Sequence, residues 1–386
     1  MNTPSIDRAY LLETLRDLVR INSINPTLVP GGAGESEIAG YVAASLERCG
    51  LSAVRYEPEP GRVSVVGTLT GTGGGRSLMF NAHYDTVGVE GMAEPFSGEI
   101  RDGKLYGRGS YDMKGSLTAG MTAAKALADA GVALRGDLLV AAVADEEYGS
   151  IGTADLCARL KVDAAIVTEP TSLRVCLAHK GYMWIEVEAT GCAAHGSKFE
   201  QGVDANMRMG RFLGELEKLE RELRGRPGHA LVGPPSLHAA TIAGGSGLST
   251  YAASCKLQIE RRTVPGETDA QALAELQAIA DRLHVADPSF VATVKPFFVR
   301  QPFEVDRGAS IVKCVDRAVS SVLGKAPEYF GDTPWMDSAL LSAAGVETVV
   351  IGPHGAGAHA DVEWVGVESV ERLADILVRV ALEYCA

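Results

Sequence analysis

No Cys-x-x-Cys pair occurs in this chain. Its seven cysteines, Cys49, Cys157, Cys176, Cys192, Cys255, Cys314 and Cys385, are scattered and odd in number. Neither a disulfide framework nor a thiolate zinc site is indicated. No apolar run approaches the length of a membrane span. Long basic runs are also missing, and the formal net charge of -13 leaves no cationic footprint for a nucleic acid or an anionic membrane surface. The glycine run Gly71-Thr72-Gly73-Gly74-Gly75 lacks the Gly-Lys-Ser/Thr ending of a phosphate loop. Internal repeats and low-complexity linkers are absent. The first twenty residues interleave Asp7, Arg8, Glu13, Arg16, Asp17 and Arg20 with Leu11, Leu12, Leu15, Leu18 and Val19, the pattern of an amphipathic helix and not of a signal-peptide core. The expectation is a cytoplasmic protein with no nucleic-acid and no membrane partner, and 386 residues leave room for two domains.

What is present is organised around Gly107-Arg108-Gly109-Ser110-Tyr111-Asp112-Met113-Lys114-Gly115, a single carboxylate set among glycines that let the backbone turn tightly. A lone Asp in such a turn is ordinarily a turn residue, so its meaning depends on the surrounding chain. Helices are expected at about 35–49, 115–130, 310–323, 337–344 and 369–384, with strands at 63–69, 77–81, 138–144, 164–167 and 348–351. The continuous apolar run 138–144 reads as a strand buried on both faces.

Acidic and imidazole side chains follow these strands. The strand at 78–81 runs into His83-Tyr84-Asp85, where i, i+2 spacing turns His83 and Asp85 toward one side. Strand 138–144 delivers Asp145-Glu146-Glu147, strand 164–167 delivers Thr168-Glu169-Pro170, and strand 348–351 leads into the loop that holds His354 and His359. In open α/β sheets ligands gather beyond the carboxyl ends of the strands. His83, Asp112, Glu147, Glu169 and His359 are therefore candidate metal ligands. Oxygen and imidazole donors without thiolates suit zinc, cobalt or manganese alike. A carboxylate can bridge two ions, as in dinuclear hydrolases where bound water is acidified and the attacked carbonyl polarised; Asp112 is read as that bridge. Asp85 is the carboxylate expected behind His83. Glu146, beside Glu147 but unable to share its direction, is the candidate general base that later returns the proton to the leaving amine.

From Gly181 the pattern changes to strand 182–189, helix 203–223 with Phe212, Leu216, Leu219 and Leu223 on one stripe, strands 237–242 and 251–261, helix 268–283 and strand 290–294. The order β-α-β-β-α-β is the split unit of a ferredoxin-like domain. It predicts an insertion at 180–297 within a discontinuous catalytic domain, 1–179 and 298–386. The fold class is thus α/β, an α/β/α catalytic domain around a central mixed sheet plus the inserted domain.

In order and spacing, His83-x-Asp85, Gly107-Arg108-Gly109 through Asp112-Met113-Lys114-Gly115, Asp145-Glu146-Glu147, Thr168-Glu169-Pro170 and the late His359 resemble the acetylornithine deacetylase, succinyl-diaminopimelate desuccinylase, aminoacylase and glutamate carboxypeptidase family of dinuclear zinc enzymes. The resemblance covers essentially the whole chain. It implies two zinc ions, with cobalt or manganese as alternatives: Asp112 bridging, one ion on His83 and Glu169, the other on Glu147 and His359, Asp85 behind His83, Glu146 as base, and a cis peptide after Asp112. It implies that the inserted domain is a lid and dimerisation domain, so that a homodimer is expected. In that domain His195, within Gly191-Cys192-Ala193-Ala194-His195-Gly196-Ser197, matches the oxyanion-stabilising histidine, and Arg262 matches the arginine that receives a substrate carboxylate. Adjacent Arg261 reads as a solvated strand residue. Two departures bear on substrate shape: Ser249-Thr250-Tyr251-Ala252-Ala253 replaces the usual Asn and Pro-Asp, and Ser197-Lys198-Phe199 replaces the usual two serines and proline.

The function implied is removal of an acyl group from an N-acylated amino acid. The alternatives are a dipeptidase or carboxypeptidase on the same metals, acting on short peptides, and a non-catalytic binding scaffold. Thr168-Glu169-Pro170 and Pro334-Trp335-Met336-Asp337 favour the acetylornithine deacetylase-like branch.

Overall fold

In the computed structural model, which describes residues 3–386, the chain divides into two compact units. One comprises the chain through Leu177 with Val305–Phe330 and Met336–Ala386; the other comprises Ala178–Glu304 with Gly331–Trp335. The architecture is the mixed α/β fold the sequence predicts.

The first unit is built on a mixed sheet in which Ser52–Glu59, Arg62–Leu69, Leu138–Val143, Leu78–His83, Ala164–Val167 and Glu347–Val350 lie side by side in that order. Its inner strands Leu138–Val143, Leu78–His83 and Ala164–Val167 are buried at every residue, which is why they read as unbroken apolar runs. Leu78–His83 is parallel to both neighbours, and Glu347–Val350 is parallel to Ala164–Val167. Four carboxyl ends therefore point one way. Helix Gly115–Asp129 packs against the sheet with all but a few of its residues buried, its alanines allowing close approach. The opening helix Arg8–Arg20 is capped by Asp7, whose carboxylate accepts from the Tyr10 amide at 3.1 Å.

Some elements carry no clear sequence signal. Strand Ser52–Glu59 exposes most of its residues, and helix Ile151–Arg159 is short. A small antiparallel sheet orders Gly355–Ala356, Trp364–Gly366, Lys104–Tyr106 and Glu99–Arg101 from strands of two or three residues.

The second unit carries the four antiparallel strands Ser236–Gly244, Ser254–Thr263, Gly181–Thr190 and Val291–Arg300 in that order, the ferredoxin-like topology. Its core joins Met183, Ile185 and Val187 to the stripe Phe212, Leu216, Leu219 and Leu223 of helix Ala205–Gly225, and to Leu276 and Ile279 of helix Asp269–Ala286. A capping box between Thr268 and Gln271 starts that last helix. One expectation fails here. Arg261 is fully buried and not solvated, because its guanidinium donates to Glu267 at 2.8 Å and lies 3.4 Å from Glu275. Among the described residues no helix is long and apolar enough to cross a membrane.

Candidate metal centre

The parallel strands end where the sequence places its acidic and imidazole groups. His83 is the last residue of its strand and is buried. Its Nδ1 lies 3.0 Å from the backbone oxygen of Asp85. A carbonyl only accepts, so Nδ1 carries the proton and Nε2 of the neutral ring presents a lone pair. That lone pair faces carboxylates: Asp112 Oδ1 at 3.1 Å, Glu169 Oε1 at 3.7 Å and Glu146 Oε2 at 3.9 Å. The other oxygen of Asp112 lies 3.4 Å from Nε2 of His359, which is 3.0 Å from Glu147 Oε2. Asp112 thus divides its two oxygens between the two histidines. Donor atoms of His83, Asp112 and Glu147, and of His83, Glu146 and Glu169, converge to within 4.8 Å in each group.

Around buried His83, acceptor facing acceptor is unfavourable unless a cation lies among them, whereas His359 at the other end of Asp112 is exposed. The protonation balance says the same. Burial pulls His83 down, but the hydrogen bond to Asp112 and the charges of Glu169 and Glu146 outweigh it and raise the ring well above its ordinary pKa. Hydrogen bonds to Asp112 and Glu147 push His359 up to about 10. Burial raises Glu146 and Glu169 well above the carboxylate range and raises Glu147 less strongly, with neighbouring carboxylates adding to each. Burial would raise Asp112 too, but His359 and His83 hold it low. These directions favour extra protons at the histidines and glutamates, as expected where carboxylates crowd together. The donor set therefore fits divalent cations, which would take the place of those protons.

The supporting contacts differ in one detail from the simple expectation for Asp85. Its carboxylate lies 3.6 Å from His83 Nδ1 and is used elsewhere. It accepts from the Glu146 and Glu147 amides at 3.1 and 3.2 Å and from Asn25 Nδ2 at 2.8 Å. The left-handed turn at Asp145, φ 70°, presents those amides. Asn25 also bonds Asp145 at 3.0 Å, and Arg62 joins Asp145, Asn25 and Glu35 behind it. The Asp112–Met113 peptide is cis. His359 also adopts a positive φ, 61°.

Glu363, absent from the sequence reading, and Arg108, which enters there only as part of the glycine-rich stretch, organise the loop. Glu363 is buried and accepts four hydrogen bonds: from the Tyr111 and Asp112 amides on Oε1 at 2.9 and 3.0 Å, and from Arg108 Nη1 and the Gly109 amide on Oε2 at 2.7 and 3.1 Å. Arg108 also donates to the oxygens of Gly88 and Ala360. More than 250 residues separate Glu363 from these partners, so no local spacing reveals the link.

Within the second unit, His195 is exposed on a loop bridged to Thr250, and its Nδ1 receives the Ser197 amide at 3.2 Å with the Ser197 hydroxyl at 2.8 Å. An amide only donates, which leaves the proton of the neutral ring on Nε2. Arg262, on strand Ser254–Thr263, bonds Glu260 through Nε and lies 5.1 Å above the Tyr182 ring.

Comparison with known proteins identifies the family. The model of peptidase family M20/M25/M40 matches residues 79–383, and the chain belongs to that family. It is accordingly a hydrolase of the metallopeptidase and amidohydrolase kind. An acetylornithine deacetylase of Myxococcus xanthus is 30% identical over 358 residues, covering 89% of this chain and 91% of that one. N-formyl-4-amino-5-aminomethyl-2-methylpyrimidine deformylase of Bacillus subtilis is 27% identical, with 93% and 92% covered. The crystal structure of a dinuclear metal-binding peptidase of the family from Bacillus subtilis superposes with a TM-score of 0.74 at 14% identity, covering 97% of this chain and 98% of that one.

Proposed function

We propose that the protein removes the acyl group from an N-acylated amino acid with a free carboxylate, at a dinuclear centre held by His83, Asp112, Glu147, Glu169 and His359. The observation that carries the centre is the division of the Asp112 oxygens between His83 at 3.1 Å and His359 at 3.4 Å. Two divalent cations bound there, zinc by this reading with cobalt or manganese as alternatives, would acidify a water and polarise the scissile carbonyl.

The chain's own groups supply the rest. Glu146 lies 3.9 Å from the His83 ring and is not one of the five proposed ligands, which leaves its carboxylate for a base that holds the proton it takes until the amine leaves. Asp85 fixes the backbone that carries Glu146 and Glu147. His195 offers an Nε2 proton suited to a developing oxyanion. The planar fork of Arg262 suits a carboxylate. The second unit acts in this reading as a lid and as the surface of a homodimer. The similarity to an acetylornithine deacetylase supports the deacylase assignment.

Release of free amine from N-acetyl amino acids and from the corresponding dipeptides, with Glu146→Gln as the blank, tests the reading. Turnover of acetylated substrates alone is the expected result. Turnover of dipeptides alone would replace the deacylase by a peptidase on the same centre. Equal signal from the blank would remove Glu146 from the mechanism.

A further inference from the structure

The loop that carries Asp112 and the loop that carries His359 are stitched by one short strand. Trp364–Gly366 pairs on one side with Lys104–Tyr106, which leads into residues 107–115, and on the other with Gly355–Ala356, which leads to His359. Glu363 stands immediately before that strand. Its two carboxylate oxygens accept four donors, three of them backbone amides of the loop that ends in Asp112. The fourth, Arg108, extends the contact to the oxygen of Ala360, next to His359. The Gly107 amide completes the stitch by donating to the Glu363 backbone oxygen at 3.1 Å.

We propose that Glu363, with Arg108, is the positioning residue of the metal pair: its carboxylate holds both loops so that the oxygens of Asp112 stay shared between His83 and His359. Glu363 is no ligand itself. A glutamine at 363 keeps the shape but presents an amide nitrogen to at least one pair of donors, so part of the loop loses its acceptor. Both cations depend on Asp112 in this arrangement, and the weaker one suffers first. The inference rests on the dinuclear reading above but not on the substrate.

The test is calorimetric titration of metal-free Glu363→Gln with Zn2+, together with the visible spectrum of the Co2+-loaded protein. Far-UV circular dichroism and gel filtration establish that the variant is folded. Affinity for the weaker cation is expected to fall by roughly 10–100-fold, the range for partners that orient ligands, with an altered cobalt spectrum. A folded variant that binds both cations with unchanged affinity and spectrum would overturn the proposal. If Glu363→Gln does not fold, Arg108→Lys carries the test with the same two outcomes, because a single ammonium cannot reach Gly88, Ala360 and Glu363 together. Wild-type protein that binds fewer than two cations would overturn the dinuclear reading and this proposal with it; dipeptide turnover in place of deacylation would leave both standing.

Discussion

Arg62 carries its guanidinium into the buried polar network behind Asp85, and replacing it with Met isolates what it does. Its Nη2 lies 2.5 Å from Asp145 Oδ1 and 2.8 Å from Glu35 Oε1, while Nη1 donates to Asn25 and Thr27. Arg62, Glu35 and Asp145 are all nearly excluded from solvent. Removing one partner of a buried ion pair leaves the other charge uncompensated, at a cost of about 3–5 kcal/mol. The loss depends on pH in a defined direction. Burial pushes Glu35 up to about 8, with the charge of Asp85 adding to it and Arg62 opposing it. The folded state thus holds a proton that the unfolded state releases near 4.5, and the associated stability is present below that pH and declines as pH rises through about 8. Without Arg62 the decline should steepen. Urea unfolding at pH 5.5 and pH 8.5 measures it. Arg62→Met is expected to lose about 3–5 kcal/mol at the higher pH, less at the lower, and to regain part of the loss when Glu35→Gln is added. An unchanged midpoint at pH 8.5, or a loss equal at both pH values, would refute the reasoning.

Three further outcomes are expected. Glu146→Ala should reduce kcat by at least the roughly 10²–10⁴-fold typical of proton-transfer groups, with fold and metal content retained; loss of metal would reassign Glu146 as a ligand. Arg261→Met should destabilise the second unit, since Glu267 would lose its guanidinium partner while Glu275 would keep only Arg226, and thermal unfolding reads the change. Mixing inactive His195→Ala and Arg262→Ala chains should restore part of the activity if subunits exchange these residues across a homodimer, and a mixture as inactive as its components would count against a shared site.

Much of the centre was legible because the chemistry sits at the ends of buried strands. Leu138–Val143 is apolar throughout since both its faces are covered, and that run makes the Asp145-Glu146-Glu147 that follows conspicuous. The same holds for Glu169 after Ala164–Val167 and for His83 at the end of its strand. Strand Ser52–Glu59 was hidden by its own exposure, which leaves charged and polar residues with no strict alternation. Arg261 looked solvated because its glutamates come from the following turn and the next helix and form no local pattern. Glu363 was invisible for a related reason: it serves a loop more than 250 residues away through backbone amides, and those carry no side-chain signature.

The central claim is a pair of cations shared by Asp112 and used for amide hydrolysis. The most direct measurement titrates metal-free protein with Zn2+ while following both calorimetric binding and amine release from the best N-acetyl amino acid. The expected result is two equivalents bound per chain, with activity reaching its plateau as the second site fills, and both reduced in Asp112→Asn. Saturation at a single equivalent, or activity indifferent to added metal and to Asp112→Asn, would contradict the account.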